Sequence, residues 1–258
     1  MKNIQSYFKA LFVGITVVSL AVSCKKLVEK PKSFITPEDF YTTPSQVEAA
    51  FAASMNRLWD YWGGYGYGMG NFVHDDQYEG GDLVIARNHG SDLWNRHFAA
   101  IQNLNAAIRA MKKGSLGSGT SQAALDNLMG QAKFLRAYNY FMLVRMFGDL
   151  PLYTEDIAEP ITAQIGRTPV ADVYKLIVSD FLEATTKLPA TLPASQKGRP
   201  SSDAAKGLLA KVYLTMATAP LNDVSNYQKA ADMANQVIQG GRYSLVTDIN
   251  KVFSSIWA

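Results

Sequence analysis

SQAALDNLMGQAKFLRAYNYFMLVRMF, residues 121–147, followed by Gly148-Asp149-Leu150-Pro151, is the stretch whose reading decides the fold. Leu125, Leu128, Ala132, Leu135, Tyr138 or Asn139, Met142 and Met146 recur with the 3.6-residue period of one helical face. Glycine and proline then arrive together. Glycine tolerates the left-handed backbone that ends a helix, and proline cannot continue one, so the spacing predicts a single long helix over 121–147.

The same period continues on both sides. Thr168-Pro169 opens a segment carrying Val173, Leu176, Ile177, Phe181 and Ala184, ended by Leu188-Pro189. After a loop rich in Pro, Ser and Gly at 190–200, Ser202-Asp203 opens a helix with Leu208, Leu209, Val212, Tyr213 and Met216, ended by Pro220. The last helix is predicted from Asn226 to Gln239, stopped by Gly240-Gly241. Toward the N-terminus, Gly114 to Thr120 is expected to be a flexible linker, and 91–113 a helix with the stripe Trp94, Phe98, Ile101, Leu104 and Ile108. Ser45-Gln46-Val47-Glu48 is expected to be a capping box before Val47, Phe51, Ser54 and Leu58, and Thr36-Pro37-Glu38-Asp39 an earlier helix start. Only Tyr243 to Val246 suggests a strand, and it is isolated. The predicted class is all-α.

Two of these helices resemble each other. Ala132, Lys133, Ala137 and Tyr140 match Ala205, Lys206, Ala210 and Tyr213 at a constant offset of 73, close to two tetratricopeptide units of roughly 34 residues. Small residues at fixed places let neighbouring helices approach, which suits paired helices stacked as a short solenoid.

The chain has 258 residues, 48% of them apolar, enough for one large core or two modest ones. Its formal charge is +3; Lys2 and Lys9 lie in the leader, so the body carries only +1 and no basic footprint for nucleic acid. From Ala10 to Val22 the chain is almost unbroken apolar. As a helix that run would span about 20 Å, short of a hydrocarbon core of roughly 30 Å. Behind Lys2 and Lys9 it is read as a secretory signal peptide over 1–23. Cys24, the only cysteine, follows Ala21-Val22-Ser23 directly. Small residues there admit a signal peptidase, and the thiol is the expected acceptor of lipid. Residues 24–35 are then lipidated cysteine and tether, and 36–258 the helical domain.

Four segments in order resemble the SusD/RagB family of nutrient-binding lipoproteins. They are Cys24 with Pro31 to Tyr41; Trp94, Ile101 and Asn105; Lys133 to Phe141 with Leu143 to Leu152; and Gly198-Arg199-Pro200 with Ala204 to Leu214. The resemblance implies an all-α fold of tetratricopeptide-like helical hairpins. It implies a lipoprotein of the outer membrane that captures glycan for a SusC-like TonB-dependent transporter. The tether Lys25 to Pro31 carries no acidic run, so an outward orientation is implied by the resemblance alone. Members of the family usually run to about twice this length, so the chain is expected to be an N-terminal, truncated portion.

Catalytic chemistry has little to stand on in this sequence. His74, His89 and His97 form no HExxH or other metal-ligand spacing, and there is no GxSxG and no P-loop. No catalytic residue, metal site or cofactor is expected. The run Gly63 to Gly70 is not GxGxxG behind a strand, yet with Trp59, Tyr61 and Trp62 it gathers five large rings within nine residues. A sugar presents a face of C–H groups that stacks on an aromatic ring, while polar neighbours bond its hydroxyls. The candidate ligand residues are therefore Trp62, Tyr65 and Tyr67, with Asp75, Arg87 and Asn88 as polar partners. Asp76 and His89 lie in the same stretch. Trp94, Tyr138 and Tyr213, on helix faces, are expected to be core. A tetratricopeptide-type scaffold or peptide receptor is the competing reading of the same helices.

Overall fold

The computed structural model describes residues 40–60, 89–157 and 165–248. Six α-helices run through them in order: α1 Pro44–Asp60, α2 His89–Lys112, α3 Gln122–Phe147, α4 Val170–Lys187, α5 Ser202–Met216 and α6 Asn226–Gln239. A single 3-10 turn, Ala194–Gln196, interrupts the loop between α4 and α5. Among the described residues there is no sheet; Leu150 and Thr168 form an isolated antiparallel bridge.

The helix boundaries follow the expected chemistry. Ser201 caps α5 and Ser121 caps α3, each hydroxyl accepting from the backbone N–H three residues on. Gly148 ends α3 with φ 69°, a left-handed value that a side chain disfavours, and its N–H returns to the Val144 carbonyl. Asp149 then caps α4 from outside, accepting from the Val170 N–H at 2.9 Å.

Three local expectations are corrected. The capping box of α1 lies two residues earlier than Ser45-Glu48: Pro44 takes the first helical position, and Gln46 Oε1 accepts from the backbone N–H and the hydroxyl of Thr43 at 2.8 and 2.9 Å. Proline fits the first turn because its missing N–H is not needed there, and this shifts the box onto Thr43. The stretch 114–120 is an ordered turn: Gly114 and Gly117 take φ 71° and 75°, Leu116 is buried, and Thr120 bonds the Leu116 carbonyl. One buried leucine outweighs the looseness that its glycines and serines suggest. Tyr243 to Val246 forms no strand; all four residues are exposed, and no described strand pairs with them.

Consecutive helices pack as antiparallel neighbours. Across α3 and α4 the partners run in opposite directions: Asp126 meets Lys187, Phe134 meets Phe181, Arg136 meets Asp180 and Phe141 meets Tyr174. α2 meets α3 the same way, through His97–Asn139 and Asn105–Arg136. α4 also packs on α5, and α5 on α6. Of the repeated residues, Ala132, Ala137, Tyr140, Ala205 and Tyr213 are buried, on the first helices of the hairpins α3–α4 and α5–α6, while Ala210, the counterpart of Ala137, is only half-buried. Gly130 permits a close approach, since a Cβ there would stand 2.9 Å from Leu188 Cγ.

The apolar interior has two parts. One joins α1, α2 and the first half of α3 through Val47, Phe51, Leu104, Ile108, Leu128 and Ala132. The other joins the second half of α3 to α4, α5 and the start of α2 through Tyr140, Phe141, Ile177, Phe181, Leu209 and Val212. Trp94 is half-buried against the second, its ring 4.7 Å from Phe98 and 5.1 Å, edge-on, from Phe147. α6 buries only Asn226 and Ala230, so Tyr227 and Ile238 stay exposed.

Candidate functional site

A cleft of about 300 Å³ opens between α3 and α5. α3 contributes Tyr138, Phe141, Met142 and Arg145, whose spacings of three and four put them on one helical face. α5 contributes Leu208 and Lys211, three apart and likewise on one face. α4 packs on both helices, and Tyr174 from α4 meets the Phe141 ring edge-on at 6.3 Å.

The rotation of α3 that presents this face is set by the charges on its other side. Arg136 is buried and reaches three elements. It donates two hydrogen bonds to Asp180 of α4, at 2.7 and 2.9 Å, one to Asn105 of α2 at 2.7 Å, and one to Glu155 in the loop after α3. Lys133, one turn earlier, lies 3.0 Å from Asp180 and 3.3 Å from Glu183. Burial alone would raise the Glu155 carboxyl; the Arg136 charge and hydrogen bond, with the Lys112 ammonium at 2.5 Å, outweigh it and hold the group well below the usual carboxylate range. The Tyr140 hydroxyl bonds both the N–H and the carbonyl of Tyr153, each at 2.8 Å, and fixes the same loop. Arg109 adds bonds to the Glu155 and Ile157 carbonyls.

Within the cleft, Arg145 lies over the Phe141 ring, its guanidinium carbon 4.4 Å from the centroid. Nη2 donates to the Met142 sulfur at 2.9 Å and Nε to the Phe141 carbonyl at 3.4 Å. Burial pushes the Tyr138 phenol above its ordinary value, while the Arg145 charge pulls it back. None of the six lining residues is a carboxylate. What this arrangement can do is hold a small molecule against a ring-backed wall and offer it cationic hydrogen-bond donors. Among the described residues no three His, Cys, Asp or Glu side chains gather as metal ligands, and no helix is long and apolar enough to cross a membrane.

The sites expected from sequence fall elsewhere. Cys24, Trp62, Tyr65, Tyr67, Asp75, Arg87 and Asn88 all lie outside the described residues, as do Asp76 and the side chain of His89. Tyr213 is buried as expected, but Tyr138 is only half-buried and faces the cleft. Arg145 and Lys211 were not singled out from sequence. Their signal was present in part: Arg145 lies seven residues after Tyr138, two turns along the same face, but the facing helix that makes this a cleft is not visible in a linear reading.

Stacked antiparallel helical hairpins with a polar-rimmed cleft define an all-helical protein of the tetratricopeptide-like architecture. The chain belongs to the SusD-like family: the family model described as starch-binding, associating with outer membrane, matches residues 39–214. A SusD-like protein of Bacteroides ovatus is 26% identical over 265 residues, which are 95% of this chain and 46% of that protein. The solved structure of a SusD homolog from Bacteroides thetaiotaomicron shares the fold with a TM-score of 0.69 at 22% identity, over 84% of this chain and 44% of that one. Another solved structure, obtained with xylogluco-oligosaccharide, matches at 25% identity and a TM-score of 0.62, over 80% of this chain and 43% of that one. The chain thus spans about half the length of the relatives it matches.

Proposed function

We propose that this protein is a binding protein of the cell envelope, without catalysis, that captures oligosaccharides for a SusC-like TonB-dependent transporter. It is anchored in the outer membrane through lipid on Cys24 and faces outward. The observation that carries this reading is the family match over residues 39–214, whose description joins starch binding to the outer membrane. A relative solved with xylogluco-oligosaccharide supports the ligand class. The apolar leader ending at Ala21-Val22-Ser23-Cys24 supports the anchor.

The glycan face in this reading includes the rings Trp62, Tyr65 and Tyr67, with Asp75, Arg87 and Asn88 for the hydroxyls. Stacking on a ring is worth roughly 1–3 kcal/mol for nucleobases, and no more for sugars, so losing one ring weakens binding by about five- to a hundredfold. Calorimetry of the chain against a panel of neutral and acidic oligosaccharides, with Trp62→Ala and Tyr65→Ala alongside, tests it. Glycan binding that neither change weakens removes the ring loop from the site. Binding of a peptide with no glycan binding replaces the reading with a peptide receptor on the same helices.

A further inference from the structure

The cleft between α3 and α5 carries two positive charges, and among the described residues no carboxylate lines it. Several cations of the framework have carboxylate partners: Lys112 and Arg136 pair with Glu155, Lys187 with Asp126, Arg199 with Glu48, and Arg242 with Asp203. Arg145 and Lys211 face one cleft from two helices, and among the described residues neither has a carboxylate within 4.0 Å. Like charges at one site raise the energy of the empty cleft and lower that of one holding an anion.

Arg145 is also prepared for such a partner. Its guanidinium carbon sits 4.4 Å over the centre of the Phe141 ring, and two of its nitrogens are spent on weak contacts, one to a thioether sulfur and one to a carbonyl at 3.4 Å. Nη1 has no hydrogen bond among the described residues and remains available. A guanidinium held against a ring loses less freedom when it binds an oxyanion, and its planar fork matches one. Tyr138 adds a half-buried ring and hydroxyl, and Leu208 an apolar wall. About 300 Å³ is the low end for ligand pockets, which suits one substituted sugar unit rather than a long chain.

We propose that this cleft is an anion subsite: Arg145 and Lys211 clamp the oxyanion of an acidic saccharide, a uronate carboxylate or a sulfate ester, while Tyr138 meets the sugar ring. It rests on the glycan reading above and narrows it to charged glycans. Carboxylate and sulfate share the chemistry that the cleft recognises, so both are tried.

The test is calorimetry of the full chain with matched pairs: an oligogalacturonate against its methyl ester, and a sulfated galactan oligosaccharide against its desulfated form. Arg145→Gln, Lys211→Gln and the double variant are measured beside them, with circular dichroism to show that these exposed positions leave the helices intact. The expected result is an acidic member of at least one pair binding about tenfold tighter than its neutral counterpart. That preference should shrink to about threefold or less in the double variant, and should weaken with added salt. Which pair discriminates tells carboxylate from sulfate. Equal binding of both pairs overturns the subsite and leaves the glycan reading standing. So does a preference that survives the double variant. No binding by any neutral or acidic saccharide overturns both. Binding of an acidic peptide that Arg145→Gln abolishes, with no saccharide bound, assigns the cleft to peptide and also overturns the proposal.

Discussion

Arg136 of α3 grips Asp180 of α4 by two parallel hydrogen bonds, Nε to Oδ2 at 2.7 Å and Nη2 to Oδ1 at 2.9 Å, with each side chain only 1% exposed. Removing one partner of a buried pair typically costs about 3–5 kcal/mol, and without Asp180 the buried Arg136 and Lys133 would be left to share Glu155 and Glu183. Asp180→Ala should therefore destabilise the protein by about that much in urea unfolding. Asp172→Ala, which breaks the exposed pair with Lys175, should cost less than about 1 kcal/mol. Equal losses from the two would mean that the buried pair is no more than a surface contact.

Tyr140→Phe keeps the ring and removes only the hydroxyl that bonds the N–H and carbonyl of Tyr153. Two buried backbone groups would lose that partner, at about 1–3 kcal/mol. Hydrogen exchange at the Tyr153 amide should accelerate in step with the loss of stability. An unchanged exchange rate would show that the other contacts of the loop after α3, from Asn105, Arg109 and Arg136, fix it without the hydroxyl.

His97 makes stability depend on pH. Its Nδ1 lies 2.7 Å from Asn139 Oδ1, and Asn139 Nδ2 donates to the Leu135 carbonyl, so the histidine Nδ1–H is the donor. Burial lowers its pKa from 6.5 to about 4, against the opposing bond to Asn139. The unfolded chain takes up this proton near 6.5 and the folded one only near 4. The stabilisation is thus complete above 6.5 and is lost as pH falls through that window, by about 3 kcal/mol. Urea unfolding from pH 7.5 to 4 should show this slope, and His97→Gln should lack it. Parallel curves would assign the acid sensitivity to another group.

Lipid on Cys24 is checked by mass spectrometry of the membrane-extracted protein, which should begin at an acylated Cys24. Cys24→Ala should release it from the membrane fraction. A product that begins elsewhere and is indifferent to this change would remove the anchor from the proposed function.

Much of this fold could be read from the chain, and its limits have physical causes. The helices of 89–239 announce themselves because apolar period and punctuation agree, with a capping hydroxyl added at Ser121 and Ser201 and a glycine stop at Gly148. Leu116 was missed because composition describes a loop's average, and one buried side chain decides its order. Thr43 was missed as the cap because Ser45 offers the same chemistry two residues later, and only the position of Pro44 separates them. The cleft was hidden for a different reason. Tyr138 and Lys211 are 73 residues apart, and helical period says which face a side chain occupies but not which face meets it. Arg136 and Asp180 were equally silent, since a charge within an apolar helix looks the same in sequence whether it is paired or solvated.

The antiparallel bridge between Leu150 and Thr168 has an evolutionary consequence. Its two hydrogen bonds, 3.2 and 2.7 Å, tie together the two ends of the connection between α3 and α4, and Arg109 anchors that connection as far as Ile157. Chain added between Ile157 and Thr168 would enlarge a loop whose ends are already closed, and doubling such a loop costs only about 0.6 kcal/mol. That connection can therefore serve as a cassette, gaining or losing length between related proteins while the hairpin beneath it is left alone.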